Sequence, residues 1–330
     1  MKPVKFQPAK ILVFLLVGLL LQSCTNKPGS WKNDAIKAGK REDFHELNDE
    51  VFKGLKANDP KQLNFLMSKE LLENSYTNRS IELISNRLND DNYRLLDEYY
   101  VINKFRDYDT IKATGSGNKR YGLNYPGITK EMYIGFFVPA ASENKYMITI
   151  AYGKYDYGWK ISKLDLAPYT INGKTAPELF NLAKSEYEKN YLIDAVNEMS
   201  LASTYLKPSE YWQYPQEEEI NEFYGKVLNE ANEKYKFPFT LTQIATKPRI
   251  IRVYNETVPE GSYPMIYYLS AINLKDTVAI KKENENIRKV IGTVMPGIDK
   301  NKKYVFYAAF NTGPGGGKTV EHFDITDTLP

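Results

Sequence analysis

Apolar positions along this chain come first as one unbroken run, then at helical spacing, and then in alternation. Ile11 to Leu21 is apolar throughout except for Gly18, and it follows a start that carries Lys2, Lys5 and Lys10. A basic n-region before a short apolar core is the pattern of a signal peptide, here residues 1–23. Eleven residues rise only about 16 Å as a helix, roughly half the hydrocarbon thickness of a bilayer, so the run is too short for a stable span. From Asp43 onward Phe44, Leu47, Val51, Phe52 and Leu55 step by three and four, which predicts a helix. Asp59-Pro60 opens a second helix through Leu63, Leu66 and Met67, and Ile81 to Leu88 supplies a third. Strand character begins with Val101, Asn103 and Phe105 and continues in Met132–Val138, Tyr146–Tyr155 and Trp159–Leu166. Ser142–Lys145 and Tyr157-Gly158 fit the turns between those strands.

Helices followed by antiparallel strands predict an α+β domain over 42–166, with helices covering one face of a curved sheet. Residues 167–177 are rich in Pro, Gly and Asn and read as a linker that should be open to proteolysis, as should Pro208–Pro215. Thr175 and Glu178 have capping-box spacing ahead of a helical segment, 178–236. There Leu179, Ala183 and Tyr187 form one stripe, Leu192, Ala195, Val196, Met199, Ala202 and Leu206 form another, and Gln216–Tyr235 makes a third helix with an acidic start. This segment is expected to act as a spacer. Over 237–330 the order is strand, strand, helix (Thr277–Met295, stopped by Pro296-Gly297), strand, strand, which suggests a small α+β sandwich.

Leu21-Gln22-Ser23-Cys24 resembles the bacterial lipobox, although Gln22 is less usual at its position. The resemblance implies a diacylglycerol thioether on Cys24, cleavage after Ser23, and acylation of the new amine. Residues 24–41 would then be a lipidated tether. Asp is missing directly after Cys24, which by the same analogy favours the outer membrane, facing the periplasm. The phrase Ala57-Asn58-Asp59-Pro60-Lys61-Gln62-Leu63 and the closing strand Gly158-Trp159-Lys160-Ile161-Ser162-Lys163-Leu164 resemble the NTF2-like family over about 42–166. Such domains enclose a conical pocket and serve as enzymes, ligand carriers or scaffolds. The spacing of Ala183, Ala195, Met199, Ala202 and Pro208 resembles one tetratricopeptide-type hairpin near 177–208, too few repeats to make a solenoid.

The 330 residues are 42% apolar and 13% aromatic, enough for packed cores. Outside the three leader lysines, acids and bases balance, which argues against a nucleic-acid partner bound through bulk charge. One cysteine and two histidines (His45, His322) exclude intrachain disulfides and Cys/His zinc sites, and no cofactor motif is present. Gly313–Thr319 ends in Lys318-Thr319 like a phosphate loop, but its first glycine position is Thr312 and a strand is expected next, so it reads as a hairpin loop without nucleotide. Ser142-x-x-Lys145 with Ser116-Gly117-Asn118 has the wrong order for a penicillin-binding serine site and lacks a Lys-Thr-Gly. His45 could serve as a base in an NTF2-like pocket, but as a solvated helix residue it would be inert. The 26 tyrosines and 3 tryptophans are the distinctive feature, and Tyr211, Trp212 and Tyr214 in a proline-flanked loop are the best candidate binding surface; alternatively, the tyrosines pack the sheets. The expectation is a lipid-anchored envelope module whose membrane contact is the lipid on Cys24 and whose partner is an envelope protein or a glycan. It would act by binding rather than catalysis. The alternatives are an enzyme using the pocket and a carbohydrate-binding accessory lipoprotein.

Overall fold

The computed structural model describes residues 27–315 and 320–330. Among them the chain is a mixed α+β protein with eight α-helices and three sheets, none closed into a barrel. The first part runs β1 (Gly29–Lys32), α1 (Ala38–Lys56), α2 (Pro60–Leu66), α3 (Lys69–Glu73), α4 (Thr77–Asp90) and β2 (Tyr93–Ile102). A hairpin of β3 (Tyr108–Thr114) and β4 (Tyr121–Pro126) precedes β5 (Glu131–Pro139), β6 (Lys145–Tyr155) and β7 (Gly158–Thr170). The strands order as β1-β2-β5-β6-β7, antiparallel throughout. β1 and the turn after it take up residues assigned to the tether, so at most four residues separate Cys24 from the sheet.

This sheet is buried on both faces. Tyr100, Tyr133, Phe137, Ile148 and Ile150 point toward α1 to α4, where Phe44, Val51, Leu55 and Ile84 meet them. The alternate residues Tyr99, Val101, Met132, Ile134, Phe136 and Met147 point the other way. A strand covered on both sides has no need of a polar face, which is why β5 reads as a nearly continuous apolar run. The α2 start is fixed by Asp59, whose carboxylate accepts from Lys61 N at 3.0 Å and Gln62 N at 3.1 Å, with Pro60 placed where its missing N–H costs nothing.

The second face of the sheet is covered by the remainder of the chain: α5 (Ala176–Glu188), α6 (Leu192–Thr204), the two-residue strand β8 (Trp212–Gln213) and α7 (Glu217–Lys234). β8 pairs with β4, forming a small sheet in the order β3-β4-β8. One apolar core therefore runs from Phe136 of the first sheet through Leu179, Met199 and Val227 of these helices. The helices share a core with both neighbouring sheets, which corrects the reading of 178–236 as a spacer. The expected linker at 167–177 is corrected as well. β7 continues to Thr170, and Asn172-Gly173 then makes a tight turn, with φ of 52° and 71°. Ile171 and Lys174 exchange backbone hydrogen bonds across the turn at 3.0 and 2.9 Å, as in a two-residue hairpin that needs φ > 0 twice. Ile171 and Ala176 are buried, and Thr175 N donates to the Glu178 carboxylate at 2.8 Å. Asn-Gly, taken from sequence as a breaker, serves here as a hairpin turn.

The C-terminal part contains β9 (Phe239–Thr240), β10 (Arg249–Val258), β11 (Gly261–Leu269), α8 (Thr277–Val294), β12 (Tyr304–Phe310) and β13 (His322–Thr328). Its sheet order is β13-β12-β11-β10-β9, and only β11 and β12, the pair joined through α8, run parallel. Ile280, Ile287 and Ile291 of α8 join the same continuous core as Ile266 and Tyr307 of the sheet. The α8 helix is started by Asp276, whose side chain accepts from Ala279 N at 3.0 Å. The unit is fastened to the Asn172 turn and to the β5–β6 connection. Ser262 N donates to Asn172 Oδ1 at 2.9 Å, and Asn144 Nδ2 donates to the carbonyl of Pro259 at 3.0 Å.

Candidate functional site

The three rings proposed from sequence as a binding surface are interior. Tyr211, Trp212 and Tyr214 are 4%, 2% and 2% exposed. Trp212 stacks on Tyr121 with centroids 3.4 Å apart and meets Phe136 edge-on at 5.3 Å, while Tyr169 and Tyr214 pack at its sides. The proline-flanked segment thus supplies the plug between the first sheet and the helices, and its clustering of rings reflects packing. For the same reason, Pro208–Pro215 offers little backbone for a protease to cut.

The helix-covered face of the first sheet is filled mainly by rings. Phe44 stacks on Tyr133 at 4.1 Å and meets Trp159 edge-on at 4.9 Å, and Phe52 meets Phe137 at 4.8 Å. Within this packing lies a polar chain that sequence reasoning missed. Glu98, 2% exposed, accepts from the Tyr133 hydroxyl at 2.8 Å and lies 3.0 Å from His45 Nε2. Asn48 continues the chain, donating to Tyr133 at 3.1 Å and accepting from Tyr152 at 2.9 Å. His45 is therefore held by a buried carboxylate, contrary to the purely solvated helix position expected from sequence. His45 and Asn48, with Asp49, Lys56 and Phe137, border a cavity of about 380 Å³. The Asn33 side chain braces the same strand from the far edge, accepting from Glu98 N at 2.8 Å and donating to Asp97 at 2.7 Å.

A second polar cluster lies where α6 meets the C-terminal unit. Asp194 and Glu198, one helical turn apart, line a cavity of about 290 Å³ with Lys174, Asn197, Asn255, Tyr263 and Lys302. Lys302 Nζ pairs with Asp194 Oδ2 at 3.0 Å and donates to the carbonyls of Gly297 and Lys300 at 2.7 and 2.9 Å. Gly297 has φ of 94°, and a Cβ there would collide with the Tyr191 ring and the Asp194 carboxylate. The Pro296-Gly297 helix stop therefore also allows the C-terminal unit to close on α6. Burial pushes the Asp194 carboxyl up to about 6 despite Lys302, and burial plus the neighbouring Asp194 charge pushes Glu198 up to about 7. Among the described residues Asp194 Oδ1, Asn197 Nδ2 and Glu198 Oε2 are buried without a hydrogen-bond partner. Buried polar atoms are normally satisfied, so orphaned atoms on three residues that line one cavity make this the most polar candidate site. Asp194 and Glu198 do carry helical spacing in the sequence, but Lys302 and Asn255 come from remote strands and loops.

The other residues singled out from sequence have separate fates. Cys24 and the rest of the lipobox lie outside the described residues, as do Lys318 and Thr319. The glycine stretch leads into β13, a strand antiparallel to β12, rather than into a helix. His322 is exposed, with Nδ1 at 2.9 Å from the Val320 carbonyl. Among the described residues no three His, Cys, Asp or Glu converge as a metal-ligand set, and no helix is long and apolar enough to cross a membrane. Comparison of the chain with known protein families, characterised proteins and solved structures finds no match.

Proposed function

We propose that this chain is a lipid-anchored cell-envelope protein, tethered through Cys24 at the periplasmic face of the outer membrane, and that it binds a polar ligand rather than converting one. The observation that carries the binding reading is the cavity around Asp194, Asn197 and Glu198, which Lys174, Asn255 and Lys302 also line, so that carboxyl, amide and ammonium groups converge on one place. Its chemistry suits a hydroxyl-rich glycan fragment. Carboxyl and amide groups can exchange hydrogen bonds with sugar hydroxyls, and Tyr263 supplies a ring for an apolar sugar face. Helices on one face of an antiparallel sheet support an NTF2-like domain at the N-terminal end, and the rings at that face favour a scaffold over a pocket. Calorimetric titration with soluble peptidoglycan fragments and oligosaccharides should give saturable heat that is lost in Asn197→Ala. Absence of heat with every fragment would overturn the ligand assignment. For the anchor, radiolabelled palmitate is expected to enter the wild type and not Cys24→Ala, and label persisting in that variant would refute it.

A second reading, an enzyme, draws on His45, whose imidazole is ordered by Glu98 beside the 380 Å³ cavity. Under the binding reading His45→Ala leaves glycan titration unchanged. A folded His45→Ala chain that still binds but fails to complement a deletion strain would move the assignment to that cavity.

A further inference from the structure

The registers of the first sheet place several connections at a single end. Ser30 of β1 lies opposite Val101, Val101 opposite Met132, Met132 opposite Gly153, and Gly153 opposite Lys160. Gly29, opposite Ile102, is the outermost paired residue of β1, so the chain enters the fold at this end. The β2–β3 connection leaves from here, and the β6–β7 turn containing Tyr157 closes here. The α2 helix reaches the same row, where Lys160 Nζ donates to the Phe65 carbonyl at 2.6 Å.

This end holds most of the strongly exposed rings among the described residues. Among the described residues the five most exposed rings are Phe65 (78%), Tyr76 (75%), Tyr108 (71%), Phe105 (69%) and Tyr157 (49%), and four of them lie on segments that reach this end: Phe105 in the β2–β3 connection, Tyr108 at the start of β3, Tyr157 in the β6–β7 turn and Phe65 on α2. Every residue from Lys104 to Thr110 is exposed, and the Lys104 ammonium lies 5.0 Å above the Phe105 ring. In water these rings are a solubility cost, whereas at the headgroup level of a bilayer aromatic side chains are stabilised. The C-terminal unit is fastened elsewhere, at Asn144 and Asn172, beside the row in which Lys145 faces Thr170 at the opposite end of the sheet. The reach of the chain selects the occupant. Five residues from Cys24 to Gly29 span at most about 17 Å when extended, so an acyl group on Cys24 holds this end within that distance of the lipid.

We infer that the Phe65, Phe105, Tyr108 and Tyr157 end of the first sheet is a membrane-contact face that lies on the bilayer surface beside the lipid anchor, with the C-terminal unit projecting away; this rests on the lipoprotein reading above. Within the β2–β3 connection Lys104 and Arg106 are offset by Asp107 and Asp109, so the rings rather than the loop's charge make the contact.

The test uses the lipidated full chain, purified from membranes and reconstituted in phosphatidylcholine vesicles. With the native thiol taken up by lipid, Phe105→Cys, Tyr157→Cys and Val278→Cys each provide one reactive thiol for an environment-sensitive fluorophore. Val278, 77% exposed on α8 of the C-terminal unit, is the reference. A nitroxide-bearing lipid should quench the label at 105 and 157 at least about threefold more than at 278, as expected for rings at the interface. The difference should persist when part of the phosphatidylcholine is replaced by phosphatidylglycerol. Equal quenching at all three sites, with the lipid on Cys24 confirmed by mass spectrometry of the same sample, overturns the contact face and leaves the anchor standing. An unmodified Cys24 overturns both. Quenching that appears only with phosphatidylglycerol overturns the ring-based contact in favour of charge.

Discussion

Trp212→Ala is expected to lower the stability of the whole protein by about 3–5 kcal/mol, the range for deleting a large buried ring where neighbours close the gap only in part. Trp212 is enclosed by Tyr121, Phe136, Tyr169 and Tyr214 from the first sheet, the β3–β4 hairpin and its own segment. Trp212→Phe should cost much less, because a second aromatic ring keeps most of the packing against Tyr121 and Phe136. The core is continuous, so urea denaturation of Trp212→Ala should remain a single transition at a lower midpoint when followed by far-UV dichroism and by tryptophan fluorescence. Two separated transitions, with the first sheet unaffected, would show that the helices pack as an independent spacer after all.

The second large effect is a pH dependence. A carboxyl whose pKa is higher in the folded than in the unfolded protein binds its proton more tightly when folded. Its contribution is present in full below the unfolded pKa and is lost as pH rises through the folded value. Asp194, ordinarily near 3.8, sits at about 6, and Glu198, ordinarily near 4.5, sits at about 7. Stability should therefore fall between pH 5 and pH 8, by roughly 4 kcal/mol at 1.4 kcal/mol per unit, about one unit from Asp194 and two from Glu198, and flatten above that. Glu198→Gln removes one ionisation and the charge it sets beside Asp194, so it should abolish more than half of the fall and raise the urea midpoint at pH 8. A wild-type midpoint that is level from pH 5 to pH 8 would show that the cavity admits enough solvent to relieve both groups.

What the sequence disclosed and what it hid follow from the range of the interactions involved. Helix starts were legible because they are local: Asp59 and Pro60, Thr175 and Glu178, and Gln216 before three glutamates each act within one turn. Strands β5, β6 and β7 were legible from length and apolarity, and the strand-strand-helix-strand-strand order near the C-terminus appears with one unforeseen addition, the two-residue β9 at its start. β1 and β8 were not, since four and two residues carry no periodicity and exist only because β2 and β4 offer open edges. The tyrosines misled for a related reason. A ring in a proline-flanked loop looks exposed until the surface it fills, here Tyr121 and Phe136, is known. The same limit applies to the polar clusters, because neither the contact of His45 with Glu98 nor that of Asp194 with Lys302 leaves a signal in spacing.

The pairing of β4 with β8 also sets the order in which the molecule can be completed. A chain delivered N-terminus first can form the helix-covered face of its first sheet early, since those residues precede Thr170. The opposite face, with Tyr121 and Phe136, stays uncovered until Trp212 has followed. Closure over that sequence distance is slow, and an aromatic face in water meanwhile invites association with other chains. Completion of the fold is therefore timed by a residue about two thirds of the way along the chain, and a product truncated before it would emerge folded on one side and adhesive on the other.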